Sequence, residues 1–380
     1  MQAGTGKNRA RSAPFGLLGM IACIAVVELF LTRGEVDLLQ PIQLQWRFQS
    51  RASRRKDVPK DEVLCFGDSL VSYGVVPPIL EERLGRRTFN YAVGGGQFPS
   101  NYFFLRRALE SGAHPSALVI DVLPRQLNIS PWVEIRLWSD ALSVRETIEM
   151  AWAARDSGFL ASVMIAKRLT SYQSRFEIRQ SILAALGGLS LSQRTLNVAI
   201  RRNLTVNHGA LIQMPRQAIQ FLPDHQGWVY PDAVKVDRMN GFYLRKFLEL
   251  AAERGIPVFW VLTPVSALVQ SRAAEARTIE PNEQFLRRVL DRYSGVTIVD
   301  GRRSGYPDTA LDDSIHLARS GAAVFSADLA DAMARVLDGG RSAGPRWVAL
   351  PAFRERPIAA RFEDLGESAT ASAKAASVLK

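Results

Sequence analysis

From Glu62 onward the chain repeats one pattern: a short, continuous apolar run, a turn marked by glycine or proline, then a stretch with helical periodicity. The strands predicted from this pattern cover residues 63–66, 88–92, 117–123, 257–262 and 296–299. The run 63–66 is continuously apolar and ends in Gly67, which suits a strand buried on both faces, as occurs almost only in parallel sheets flanked by helices. The helices predicted around them cover 75–84, 101–111, 238–254, 282–293 and 320–337. The first has Pro77-Pro78 in its opening turn and Gly85 as its stop. Five strands with intervening helices argue for an α/β chain built on a doubly wound parallel sheet.

The alternation pauses between the third and fourth strands. Residues 126–236 carry helical periodicity, as at 144–154 and 159–183, and are read as an insertion into an α/β domain over 61–340. Residues 341–380 are rich in Ala, Ser and Arg and are expected to form a disordered tail. Residues 33–60 read as a polar, Arg-rich juxtamembrane stalk. Before the stalk, Lys7, Arg9 and Arg11 precede an apolar run over 13–31 that only Glu28 interrupts. That is close to the roughly 20 residues a bilayer demands. It is long for a cleaved signal, and no small-x-small site follows it. Residues 1–32 are therefore expected to be a cytoplasmic segment and an uncleaved signal-anchor helix. The leading basic cluster predicts a single-pass cell-membrane protein with its C-terminal domain outside the cytoplasm. Arg47, Arg51, Arg54, Arg55 and Lys56 on the far side act against that orientation.

Composition excludes more than it identifies. With 47% apolar and 22% charged residues, the chain can bury a large core, so wholesale disorder is excluded. The net charge of +11 suits nucleic acid, anionic headgroups or acidic polymers. Without zinc-finger spacing or an aromatic-basic RNA motif, no nucleic-acid partner is expected. Cys23 and Cys65 are poorly placed to pair, so there is no disulfide framework. No cluster of His, Cys and carboxylates has metal-ligand spacing, and Gly94-Gly95-Gly96 lacks the spacing and lysine of a phosphate-binding loop. Neither a metal nor a cofactor is expected.

Two segments can carry chemistry. Phe66-Gly67-Asp68-Ser69-Leu70 sets a serine just after a buried strand, at the sheet edge where open α/β folds hold ligands. A serine hydroxyl becomes a useful nucleophile when a base takes its proton and the chain presents it free of cover. The same residues also suit a helix N-cap. The second segment is Asp312-Asp313-Ser314-Ile315-His316, in a chain with only four histidines. Its spacing lets Asp313 orient His316 as a base, although Asp-x-x-His is also a common surface turn. Asp312 reads as a solvated neighbour.

Gly-Asp-Ser-Leu after the first strand, a glycine cluster after the second and Asp-x-x-His before the last helix follow the block order of the GDSL/SGNH hydrolases, which the sequence resembles over residues 60–340 with the insertion unaligned. The resemblance implies a three-layer α/β/α sandwich with a parallel, flavodoxin-like sheet. It also implies esterase or acyltransferase activity, with Ser69 as nucleophile, His316 as general base and Asp313 as its orienter. Asn90-Tyr91-Ala92-Val93-Gly94-Gly95-Gly96 resembles the family's second block. That implies an oxyanion hole formed by the N–H groups of Ser69 and Gly95, although the glycines also suit a flexible turn. The family's Gly-x-Asn-Asp third block is missing: the chain reads Leu123-Pro124-Arg125-Gln126-Leu127-Asn128. Gln126, Asn128 or Asn101 are the candidates for the absent donor.

The stretch from Gly67 through Leu109 resembles membrane-anchored bacterial relatives of the alginate- and cellulose-acetylation and teichoic acid D-alanylation type. That resemblance implies an acylated carbohydrate or other O-acyl ester as substrate, and a membrane-bound O-acyltransferase as partner. The rival expectation is a non-catalytic adaptor of the same fold. In the insertion, Trp132, Trp138 and Trp152 could line a sugar groove or simply pack in the core. Asp224-His225-Gln226-Gly227-Trp228 could be a lid element or a turn.

Overall fold

The computed structural model describes residues 15–33, 39–56, 62–188, 194–214, 225–338 and 346–378. Six strands form one sheet: β1 (Val63–Gly67), β2 (Thr88–Asn90), β3 (Ala117–Asp121), β4 (Val258–Leu262), β5 (Val296–Asp300) and β6 (Trp347–Ala349). Their order is β2-β1-β3-β4-β5-β6, and every neighbouring pair is parallel. Every residue of β1, β3 and β4 is buried, as strands covered on both faces require.

Side chains alternate between two cores, following the period of two along a strand. Leu64, Phe66, Leu118, Ile120 and Trp260 face one core, which Phe103 and Phe104 of helix Phe98–Glu110 and Tyr243 and Phe247 of helix Arg238–Glu253 close. Val63, Cys65, Val119, Phe259 and Val261 face the other, closed by Ile79 and Leu80 of helix Pro77–Leu84 and Phe325 and Leu329 of helix Arg319–Asp338. Helices thus cover both faces of a parallel sheet in three layers. The chain runs from β1 to β2 on one side and returns to β3 on the other. The carboxyl ends of β1 and β3 therefore flank the switch point where such sheets hold ligands.

Two expectations need correction. The segment read as a stalk contains the helix Pro41–Ala52, which is built into the domain; residues 34–38 and 57–61 lie outside the described ones. Its inward face is made largely of amides: Gln43, Gln45 and Gln49 are buried beside Leu44 and Trp46. A hydrophobic period therefore does not reveal it. The segment read as a disordered tail supplies β6 and the helix Leu365–Val378, with residues 341–345 and 379–380 outside the described ones. Polar contacts to distant residues order it. Arg202 pairs with Glu363 at 2.6 Å, and the side chains of Asn203 and Asn207 donate to the Glu363 carbonyl at 2.9 and 2.7 Å.

The run expected as one helix over 159–183 is divided into Ser157–Arg168, Thr170–Gln173 and Arg175–Leu186. Of the insertion's tryptophans, Trp138 is buried in the core, Trp132 stacks on Phe159 and Trp152 is exposed. Among the described residues, no helix is long and apolar enough to cross a membrane. The apolar N-terminal run forms the helix Phe15–Arg33, with Leu17, Leu18, Ile21 and Val26 exposed. Glu28, the charge that interrupts it, accepts hydrogen bonds from the N–H groups of Thr170 and Ser171 at 2.8 Å each.

Buried Arg107 ties three segments together. Its Nε donates to Glu146 Oε1 at 2.7 Å, Nη2 to the Ala141 carbonyl at 2.6 Å and Nη1 to Ser50 Oγ at 3.2 Å. Burial acts to raise the Glu146 carboxyl, but the hydrogen bonds and charge of Arg107 prevail and hold it at about 2. Arg107→Ala leaves that carboxylate buried without its partner, which is expected to cost about 3–5 kcal/mol. Urea denaturation checks this, and a loss below about 1 kcal/mol would show that surface-type screening governs the pair.

Candidate active site

The local sequence shapes the loop after β1. Gly67 has φ +145°, and a Cβ there would lie 2.2 Å from the Asp121 carbonyl oxygen, so only glycine lets β1 and β3 approach this closely. Asp68 then caps the helix Ser69–Gly74: its Oδ1 accepts from Leu70 N–H at 2.9 Å. Its Oδ2 accepts from Leu123 N–H at 2.7 Å, pinning the loop to the end of β3. Burial pushes the Asp68 carboxyl up to about 6 against these two N–H groups. The capping role open to this motif thus falls to Asp68, while Ser69, half-buried among buried neighbours, keeps its hydroxyl free for another partner.

That partner is His316. Ser69 Oγ and His316 Nε2 are 2.8 Å apart, and His316 Nδ1 lies 2.8 Å from Asp313 Oδ2. Asp313 Oδ1 accepts from the N–H groups of Ile315 and His316, each at 2.9 Å, so the loop's own backbone fixes the carboxylate. Burial acts to raise the Asp313 carboxyl. The hydrogen bond and charge of His316, with the two N–H groups, overcome it and hold the group at about 2. An ionised Asp313 accepts a hydrogen bond from Nδ1–H and so favours the tautomer with the proton on Nδ1, which leaves Nε2 as the acceptor for the Ser69 hydroxyl. Asp312, expected in solvent, is instead buried, and its N–H donates to the His316 carbonyl at 2.8 Å, closing the turn.

Two more rings lie near His316. The Tyr73 ring is 5.3 Å away and the His225 ring 6.2 Å, with His225 Nδ1 3.7 Å from Asp313 Oδ1. Of the segment 224–228, Asp224 lies outside the described residues, and His225 begins the short helix His225–Val229. The insertion therefore reaches the histidine loop through this segment.

The glycine loop lies against the serine loop. Val93 N–H donates to the Gly67 carbonyl at 3.2 Å, and a Cβ on Gly96 would sit 2.2 Å from that same oxygen. Gly95 has φ +66°. Among the described residues, the N–H groups of Ser69 and Gly95 have no partner. The candidates for a third donor separate clearly. Asn101 is fully buried; its Oδ1 accepts from Gly67 N–H at 3.1 Å, and its Nδ2 has no hydrogen-bond partner among the described residues, so its donor is not spent on the serine loop. Asn128 Nδ2 donates to the Ala233 carbonyl at 3.1 Å. Gln126, in the helix Pro124–Asn128 after β3, shares a cavity wall with Gly95.

Gln45 is the residue the sequence does not reveal. Its Nε2 donates to Ser72 Oγ, and its Oε1 accepts from Gly94 N–H at 2.8 Å. Trp46 Nε1 donates to the Gly94 carbonyl at 2.9 Å. The helix Pro41–Ala52 thereby couples the glycine loop to the helix that begins at Ser69. Its sequence signal was only Pro41 before an apolar-poor stretch containing one tryptophan. Gln45→Ala would leave a buried N–H without an acceptor and loosen that loop. If Ser69 turns over an ester, kcat is expected to fall by about tenfold to a hundredfold with little change in KM. Gln45→Glu keeps the acceptor and should recover most of the loss. Equal kcat in wild type and Gln45→Ala would show that the loop holds itself.

Among the described residues, no group of three or more His, Cys, Asp or Glu side chains gathers as a metal site would require. A scan against protein-family models and a search of curated proteins gave no match to this chain.

Proposed function

We propose that this protein is an SGNH-type serine esterase or O-acyltransferase working through an acyl-Ser69 intermediate. The observation that carries the reading is the unbroken hydrogen-bonded line from Asp313 through His316 to Ser69. Ser69 Oγ attacks the ester carbonyl carbon while its proton passes to His316 Nε2, and the carbonyl oxygen gains negative charge between the N–H groups of Ser69 and Gly95. The C–O bond to the alcohol then breaks, and the alcohol oxygen takes the proton from His316. Water or an acceptor hydroxyl, deprotonated by His316, next attacks the acyl carbon and releases Ser69. Asp313 holds the imidazole tautomer and stabilises the imidazolium.

The strand order with its switch point at Ser69 supports a flavodoxin-like sheet for this chemistry. The exposed apolar side chains of helix Phe15–Arg33 support attachment at a membrane surface; a membrane-bound O-acyltransferase as partner and an acylated carbohydrate of the cell envelope as substrate are proposed on the sequence resemblance alone. A non-catalytic adaptor is the second reading, favoured by one fact: Asn128, the asparagine that follows β3, donates its Nδ2–H to the Ala233 carbonyl at 3.1 Å and so supplies no third oxyanion donor. The two separate on a covalent adduct. Mixing the full-length protein with 4-nitrophenyl butanoate and quenching within one turnover should leave a butanoyl group on the Ser69 peptide. A folded protein with neither adduct nor released nitrophenol would favour the adaptor.

A further inference from the structure

A cavity of about 160 Å3 opens beside Gly95. Its wall joins three parts of the chain: Ile42 and Trp46 of the helix Pro41–Ala52, Gly95 of the glycine loop, and Ile129, Leu137 and Trp138 of the insertion. Among the described residues, no charged side chain lines it. The polar groups that do line it are mostly engaged elsewhere. Trp46 Nε1 donates to the Gly94 carbonyl at 2.9 Å, Trp138 Nε1 to the Pro131 carbonyl, and Gln97 Nε2 to the Ile129 carbonyl at 3.2 Å. What remains facing the space is mostly hydrocarbon, with the Gln126 amide and the Ser130 hydroxyl also in the wall. A sugar ring would leave its hydroxyls without partners there, and a carboxylate would find no cation. An alkyl chain meets neither penalty.

Size narrows the ligand further. A cavity of about 150 Å3 lined by apolar side chains accepts benzene, a ring of six carbons. If the oxyanion sits between Ser69 N–H and Gly95 N–H, the acyl carbonyl lies at the mouth of this cavity, since Gly95 is part of both. Ile42 covers the same spot: its Cδ1 would be 4.0 Å from a Cβ on Gly95 and 3.6 Å from one on Gly94.

We infer that this cavity is the acyl-chain site of the proposed reaction and selects a neutral, unbranched acyl group of about four to six carbons. The inference rests on the acyl-Ser69 reading. It assigns Ile42 and Ile129, on elements outside the Ser69, Gly95 and His316 loops, as specificity-determining residues.

The test is a chain-length series of 4-nitrophenyl acetate, butanoate, hexanoate and dodecanoate on the full-length protein, with fluorophosphonate labelling run in parallel. Wild type is expected to give its highest kcat/KM with butanoate or hexanoate. Ile42→Trp and Ile129→Trp fill the space from two different elements, and each should lower the hexanoate-to-acetate ratio at least tenfold. Labelling of each variant shows that its serine is still assembled, so a changed ratio cannot come from misfolding. A flat series, a preference for dodecanoate, or an unchanged ratio in both labelled variants would overturn the acyl-site assignment alone. Absence of labelling in wild type would instead overturn the acyl-enzyme reading, and this inference with it.

Discussion

Replacing Ser69 with alanine is expected to lower ester turnover by about 10^6-fold, and His316→Ala by a similar factor, without additivity in the double variant. The argument is that the two side chains act as one unit across a single 2.8 Å contact. Without the hydroxyl there is no acyl-enzyme, and without the imidazole nothing takes its proton. What survives is the positioning and oxyanion contribution of the backbone N–H groups. Neither change should unfold the domain. Ser69 is half-buried and its helix is capped by Asp68, not by itself. Denaturation curves should therefore nearly superimpose while kcat collapses. A Ser69→Ala variant retaining more than about a tenth of wild-type turnover would place the nucleophile elsewhere.

Asp313→Asn is expected to cost about 10^4-fold in kcat. The asparagine keeps the shape, and its oxygen can still accept from the Ile315 and His316 N–H groups. Its NH2 then faces His316 Nδ1 and favours the tautomer with the proton on Nε2, where it blocks acceptance from Ser69. The same carboxylate also contributes to stability. Its folded value of about 2 lies below the ordinary 3.8, so its contribution is fully present above about pH 4 and is lost as pH falls toward 2. The size is about 2 kcal/mol. The variant should thus be less stable at neutral pH by about that amount, and the gap to wild type should close at acid pH. A pH-independent gap would mean that packing, not ionisation, sets the loss.

How much of this was legible in the sequence follows from where each contact comes from. The strands were readable because a strand covered on both faces has to be apolar along its length, as 63–66 and 117–120 are. Ser69, Asp313 and His316 were readable because their geometry is made within each short segment. Asp68 caps its own helix, and Asp313 binds the backbone two and three residues on. The helix Pro41–Ala52 was not readable, since its buried face is glutamine rich and its contacts with Ser72, Gly94 and Gly209 are 27 to 160 residues distant. The C-terminal segment escaped notice for the same reason: β6 pairs with the distant β5, and Glu363, just ahead of the last helix, is held by Arg202, Asn203 and Asn207 of the insertion. Asn101 could be named as a candidate, but only the approach of Gly67 shows that its Oδ1 accepts from the backbone of the serine loop. Sequence pattern reports burial and local turns; it does not report which distant amide closes a buried hydrogen bond.

The most direct measurement is fluorophosphonate labelling of the full-length protein, followed by peptide mapping, beside Ser69→Ala and His316→Ala. The expected result is one adduct, on Ser69, absent from both variants. A folded wild-type protein that takes up no label, or labels equally without His316, would contradict an activated serine at this site.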